Sequence, residues 1–384
     1  MSAKPPLWRN VRILRIVFQA AVIAAVVAFG LWLAGNVREN AAETNVPLTF
    51  DYLDQPASFP IAGSSFRPTQ SVQDALLVGL GNTLRVAIAG IVGATLLGTL
   101  IGIARMSSNF LLSKAAQVYV ELVRNVPLLV IIYFAYVAVF LQLPRLEDAT
   151  TVDGALVLSV RAVSVPWVHS DGQGWLALSV LAVALAAAVG TARWRRARGD
   201  RTGQPAHTGR WAVGAFAAVA GIGYVALGGP VDLTGPHLRD RIVTGGVSMP
   251  PEFAALLVAL ILYTASHIAE IVRGSIQAVP KGQVEAATAL ALSSGQRMRL
   301  VVLPQAFRIA VPALANQYLN LTKNSSLAVA ISFYELTKIT QVSIASRAPA
   351  VPAYGLLLFI YLALCLAISG VANVVNRRLA VVER

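Results

Sequence analysis

The chain has 384 residues, of which 56% are apolar and only 13% charged, with a mean hydropathy of +0.66 and a formal net charge of +13. A soluble domain carries about a quarter charged residues, so this balance excludes an ordinary water-soluble fold and makes the lipid bilayer the solvent. The positive excess is spread over many segments and forms no single patch, which excludes a nucleic-acid binder.

Runs of about 20 apolar residues are long enough to cross about 30 Å of hydrocarbon as helices. Eight runs of this kind follow one another, two of them shortened or interrupted. They are Ile16–Gly35, Gly79–Ala104 with Arg85 near its start, Val126–Leu143, Gly174–Thr191 and Trp211–Pro230. Phe253–Ile271 with His267 and Glu270 near its end, Ile309–Ser332 containing Lys323, and Ala353–Val375 complete the set. None shows the ten-residue length and strict alternation of a barrel strand, so the predicted fold class is an all-α polytopic membrane protein. The first run exceeds a signal-peptide core and reads as an uncleaved anchor. Cys365 is the one cysteine and can form no intrachain disulfide.

Cytoplasmic loops accumulate Lys and Arg, which gives the runs a direction. With the amino terminus inside, the inner segments hold 21 of the 31 basic residues, beginning with Lys4, Arg9, Arg12 and Arg15, and the outer loops hold 8, including Arg239 and Arg241. Eight spans with both termini in the cytoplasm follow. Four zones emerge: an anchor and outer segment (1–73), a first core part (74–145), an inserted Ala-rich pair of spans with its loops (146–252), and a second core part (253–384). The inserted spans are joined through Arg193-Trp194-Arg195-Arg196-Ala197-Arg198 and offer almost no internal polar group, which suits packing against lipid.

No G-x-x-x-x-G-K-[ST] phosphate loop is present, and Cys and His are too few and too scattered for a metal cluster. The spans also lack the midplane carboxylates usual in ion-coupled carriers. No catalytic cluster marks an enzyme and no cofactor is implied, so the energy for any transport has to come from another protein.

One polar stretch stands apart, AVPKGQVEAATALALSSGQRMRLVVL from Ala278 to Leu303, followed by Pro304. Pro280 suits a first helical turn, and Glu285 is read as lying near the positive end of a helix over Gly282–Leu292. Ser293, Ser294 and Gly295 are predicted to stop that helix, with Gly295 left-handed, before a second one from Gln296 that ends at Pro304. Ala286, Ala287, Ala289 and Ala291 would let another surface approach the backbone. On pattern alone the stretch reads equally as an interfacial helix with Arg297 and Arg299 toward lipid headgroups.

The order Glu285-Ala286-Ala287, seven residues, Gly295, eight residues, Pro304 resembles the EAA loop of ABC importer permeases. AEIVRGSIQAVPKGQ (Ala269–Gln283) and YVELVRNVPLLV (Tyr119–Val130) are similar to the polar amino-acid branch of that family. FDYLDQPASFPI (Phe50–Ile61) and NQYLNLTKNSSLAVAIS (Asn316–Ser332) are similar to its general L-amino-acid permeases. One departure is Ala291, where the family more often has Gly, and it is expected to stiffen the docking helix.

The resemblance implies a type I permease core in the bacterial inner membrane that carries L-amino acids. It implies ATPase subunits docking on the coupling loop 274–308 through Glu285, Ala286, Ala287, Gly295 and Pro304. A second similar permease, giving a heterodimer, and a periplasmic amino-acid-binding protein complete the implied assembly. Lys323, with Arg85, Asn320, Asn324, Ser325 and Ser326, is expected to line the substrate path, because a cation deep in a span needs a partner such as a substrate carboxylate. Glu121 with Arg124 and Glu270 with Arg273 share the spacing E-x-V-R near inner boundaries, read either as coincidence or as matched roles. A secondary carrier or channel with an amphipathic inner helix is the alternative function.

Overall fold

The computed structural model describes residues 11–169, 174–203, 207–228, 232–239 and 242–379. Lys4, Arg9, Arg241 and the carboxy-terminal Arg384, all used in the charge count, lie outside the described residues. Among the described residues six helices are long and apolar enough to cross a membrane, or seven if one sharply bent pair is a single span. The predicted total of eight is therefore approximate: the Gly174–Thr191 run is helical, as the start of α5 (Gly174–Thr202), but is not one of these.

The long helices follow the apolar runs and extend past them at one or both ends. They are α1 (Val11–Glu43), α2 (Val72–Ala104), α6 (Thr208–Ala226), α7 (Pro251–Gln277), α10 (Leu303–Asn324) and α12 (Ala350–Leu379). The third run differs from its prediction. Helix α3 (Phe110–Asn125) stops at the residues Val126-Pro127, which are extended because a proline disfavours helical backbone in the residue before it. A stack of α4 (Leu128–Phe134), a π turn (Ala135–Val139) and a 3-10 turn (Phe140–Gln142) then leaves at 102° to α3.

Two compact units make up the chain, divided inside α2 at Ile88 and inside α7 at Gly274. The first contains the chain up to Ile88, Ser275–Val329 and the chain from Tyr334. Its core joins Tyr52, Phe59, Ile61 and Phe66 to Val72 and Leu76 of α2, Leu336 and Ile339 of α11 (Leu336–Ala345), and Leu357 of α12. The segment after α1 is thus not a detached leader: FDYLDQPASFPI supplies aromatic and aliphatic anchors that exclude water from these helices. Helix α1 itself exposes nearly every side chain, as an anchor surrounded by lipid does.

In the second unit α2 and α7 cross at the distance glycine permits. A Cβ on Gly98 would lie 2.7 Å from Ile268 Cβ, and one on Gly102 would lie 2.8 Å from the Ala269 carbonyl oxygen. Without a hydrophobic driving force between helices in lipid, such backbone approach is a main source of attraction. The Tyr119 hydroxyl of α3 donates to the Leu262 carbonyl at 2.7 Å, and the Tyr136 hydroxyl donates to Glu252 at 3.0 Å.

Among the described residues, the region read as inserted adds eight three-residue strands to a mostly helical chain. β1 (Thr150–Val152), β2 (Leu156–Leu158), β3 (Val163–Val165) and β8 (Val247–Met249) form one antiparallel sheet. β4 (Trp167–His169) pairs with β5 (Asp232–Thr234), and β6 (His237–Arg239) pairs with β7 (Ile242–Thr244). The basic run Arg193–Arg198, predicted as the connection between the inserted spans, is helical inside α5. There Arg195 stacks on Trp211 of α6 at 4.9 Å.

Candidate coupling loop and translocation path

Between α7 and α10 the chain forms α8 (Lys281–Ala289), α9 (Ser294–Arg297) and a π turn (Met298–Val302) that runs straight into α10. Pro280 is the residue before α8, and Glu285 stands in the second turn, beyond the reach of the helix dipole that was expected to favour it. The helix stops earlier than predicted. The Ala291 N–H donates to the Thr288 carbonyl at 2.9 Å and the Leu292 N–H to the Ala287 carbonyl at 3.2 Å, the two bonds of a Schellman motif. The left-handed residue that this motif requires is Ala291, with φ of 56°, and not Gly295. Ala291 therefore does not stiffen the helix; it holds a conformation that glycine adopts at lower cost.

Ser293 opens the next helix with a capping box, its hydroxyl accepting from the Gln296 N–H while the Gln296 side chain accepts from the Ser293 N–H. The Arg297 guanidinium donates to Thr288 at 2.9 Å and to Ser294 at 3.3 Å. It thus ties α9 back to α8 and does not reach away toward lipid headgroups. Pro304 does not end the second helix; it lies in the first turn of α10, directly after the π turn in which the Leu303 N–H donates to the Met298 carbonyl. Beneath the loop Val279, Val302 and Ala306 pack with Ile276 and Val284. The result is a small rigid body.

Of the predicted docking residues, Glu285, Ala286, Gly295 and Pro304 are exposed, whereas Ala287 is buried at 3% exposure. A Cβ on Gly295 would meet nothing within 4 Å. Three exposed apolar side chains of the loop, Leu290, Met298 and Leu300, were missed in the sequence because they sit in an otherwise polar run.

The predicted path residues differ in their surroundings, and Asn316 joins two of them. Asn316, Asn320 and Lys323 are all exposed and recur at helical spacing, a polar stripe along α10 with Lys323 in its last turn. Ser325 and Ser326 instead serve the backbone: α10 gives way at Asn324 to a 3-10 segment (Ser325–Ile331), and their hydroxyls donate to the Thr322 and Lys323 carbonyls at 2.7 Å each. Asn324 is half-buried at this break. On α2 Arg85 is exposed, with one guanidinium nitrogen 3.5 Å from the Asn82 side-chain oxygen.

The E-x-V-R pairs do not play matched roles. Glu121 accepts from Gln117 at 2.7 Å, while Arg124 lies 3.9 Å from Glu270. Glu270 also pairs with Arg105 and Arg273, so one carboxylate gathers three guanidinium groups. Arg105 is 165 residues from Glu270, which hid the cluster from any local pattern.

Known proteins match this architecture. A family profile described as "Binding-protein-dependent transport system inner membrane component" matches residues 249–381, a stretch that contains α7 to α12. The General L-amino acid transport system permease protein AapQ of Rhizobium johnstonii is 40% identical over 372 residues, covering 96% of this chain and 93% of its own length. The Putative amino-acid ABC transporter permease protein YhdX of Escherichia coli is 37% identical, with 96% and 94% covered. The Glutamate/glutamine/aspartate/asparagine transport system permease protein BztB of Rhodobacter capsulatus is 34% identical, with 98% and 96% covered. Agreement of this extent, spanning the inserted region as well as the coupling loop, places the chain in the family of binding-protein-dependent ABC transport permeases, as a multi-pass membrane transport subunit and not an enzyme.

Proposed function

We propose that this permease imports L-amino acids across a bacterial inner membrane, with both termini cytoplasmic. Hydrolysis on separate ATPase subunits reaches it through α8 and α9. The names of its full-length relatives support the substrate class. An extracytoplasmic binding protein delivers the substrate, and a second permease closes the path. The α10 stripe supports that last point: Asn316, Asn320 and Lys323 are exposed along a membrane-spanning helix, and polar groups at that depth face a water-filled cavity or another subunit and not lipid. Lys323 is the cation suited to a substrate carboxylate, and Arg85 a second one nearer a helix start.

The observation that carries the coupling assignment is the surface around Gly295, open on a loop held rigid by the Schellman motif, the capping box and Arg297. Such preorganisation is what a docking element needs and an adaptable lipid-surface helix does not. Replacing Gly295 with tryptophan has room within the chain itself, so the permease should fold and reach the membrane normally. The bulky ring should release the ATPase in pull-downs and abolish uptake. Normal uptake with the ATPase retained would overturn the docking role.

A further inference from the structure

The carboxylate of Glu270 gathers more charge than it can neutralise. Its Oε2 accepts from Arg105, directly after α2, and its Oε1 accepts from Arg273, one turn further along α7. Arg124, in the last turn of α3, lies 3.9 Å from Oε2, outside hydrogen-bond distance. One negative charge thus meets three positive ones, and all four residues belong to the second unit. Side-chain exposure rises from 13% for Arg105 through 31% for Arg273 to 41% for Arg124, so the cluster opens at Arg124. Among the described residues the Arg124 guanidinium makes no hydrogen bond, which leaves its five N–H donors unused. Three guanidinium groups so close repel one another, and a second anion would relieve that repulsion.

Helix α3 indicates what lies at the opening, because it presents three faces. Ala116 and Val120 are buried within the protein. Leu111, Val118 and Leu122 recur at helical spacing and are all exposed. Lys114, Gln117, Glu121 and Arg124 recur in the same way as a polar stripe. A helix with an apolar and a polar stripe, neither covered by protein, belongs in the membrane–water interface. The 102° bend to α4 turns the chain from that plane toward the hydrocarbon. Arg124 therefore stands at headgroup depth, where the group that matches a guanidinium fork is a phosphate.

We propose that Arg124, with Arg105 and Arg273, holds the phosphate of an anionic phospholipid where α2, α3 and α7 meet. Glu270 is a positioning residue: it fixes Arg105 and Arg273, and its single charge leaves the positive excess that selects an anionic headgroup. A zwitterionic lipid offers the same phosphate, but its attached cation is repelled by that excess. The site follows from membrane placement and charge, and stands apart from the cargo and from ATPase docking.

Native mass spectrometry tests it on the full chain, purified in nonionic detergent and mixed with phosphatidylglycerol or phosphatidylcholine of matched acyl chains. The natural chain should bind phosphatidylglycerol about tenfold more tightly than phosphatidylcholine. Arg124→Gln should weaken phosphatidylglycerol binding by about fivefold, the worth of one basic side chain at a membrane surface, and leave phosphatidylcholine unchanged. Lys114→Gln removes a charge from the same polar stripe outside the cluster and should change binding by less than about twofold. Equal binding of the two lipids would overturn the site, and so would equal losses in Arg124→Gln and Lys114→Gln, which mean general surface attraction. Excess inorganic phosphate should leave the lipid bound; displacement by it would make this a free-anion site and sink the lipid assignment. A cluster built for an acidic side chain of another subunit would show no lipid preference, and Arg124→Gln would shed that subunit from the complete complex. Should Arg124→Gln fail to purify, Arg124→Lys decides: keeping the charge without the fork should weaken binding by about threefold, and unchanged binding would overturn the proposal.

Discussion

Replacing Gly98 and, separately, Gly81 by alanine places the same methyl group at two points of α2, with opposite expected results. At Gly98 the new Cβ would lie 2.7 Å from Ile268 Cβ and 2.8 Å from the Ala265 carbonyl oxygen, against 3.4–4 Å for ordinary contact. Neither obstacle is the free end of a flexible chain, so α2 and α7 have to part by roughly 0.7 Å, enough to forfeit a quarter to a half of the attraction of each facing atom pair. Overpacking of this kind costs about 1–3 kcal/mol, and alanine's better helix propensity offsets about 1 kcal/mol of it. With two clashes, one of them against backbone, Gly98→Ala belongs in the upper half of that range, which leaves a net loss of about 1–2 kcal/mol. At Gly81 nothing lies within 4 Å, so the same change should gain about 0.5–1 kcal/mol. Unfolding of the purified protein by SDS, followed by circular dichroism, measures both. A Gly98→Ala protein as stable as the natural chain would refute the close crossing, and a destabilised Gly81→Ala would refute the contrast between the two faces.

Ala291→Gly should stabilise the α8 terminus by about 1 kcal/mol, because glycine enters the left-handed region without the Cβ clash. Exchange of the Leu292 amide hydrogen should slow by about fivefold, and faster exchange would contradict the Schellman assignment. Glu335 gives a pH signature. Burial pushes its carboxyl above the usual range, with the bonds from Lys338, Tyr361 and Thr337 acting against that. The native state then holds this proton more tightly than the unfolded chain does. Its contribution is therefore full below about pH 4, the unfolded carboxylate value, and is lost as pH rises toward the raised native value. The groups facing it are Tyr361 on α12 and the Lys338 end of α11, while α2 contributes the uncharged Asn82 and Thr83. Melting curves of the natural chain and Glu335→Gln should converge at low pH, with the glutamine form gaining relative stability as pH rises. Parallel curves would remove the buried carboxyl from the account.

The sequence makes legible what long-range hydropathy and a specific motif encode. Helices α2, α7, α10 and α12 are read from their apolar runs, and the Glu285 to Pro304 spacing locates the coupling loop. Features set by bonds between distant residues stayed hidden. The stop of α8 depends on which backbone unit turns left-handed, and a preference for glycine favoured Gly295 over Ala291. Strands of three residues, such as β6 and β7, are too short for alternation to register. Glu335 was not singled out, because Tyr361, its partner on α12, lies 26 residues away. The kink at Val126-Pro127 was the exception, since its proline stood in plain view at the start of the third apolar run without being taken as the mark of a sharp bend.

The sheet at the base of the inserted region bears on how far its length is free to vary. The strand leading out, β3, and the strand coming back, β8, are register partners, with Val165 opposite Val247 and the Ser164 and Ser248 hydroxyls 2.8 Å apart. Val165 and Val247, which stand on either side of the α5–α6 region in the chain, are therefore about 5 Å apart, the width of one strand spacing. A tight turn could bridge that gap. A change in the length of the α5–α6 region is therefore one that α4 and α7 need not move to accommodate.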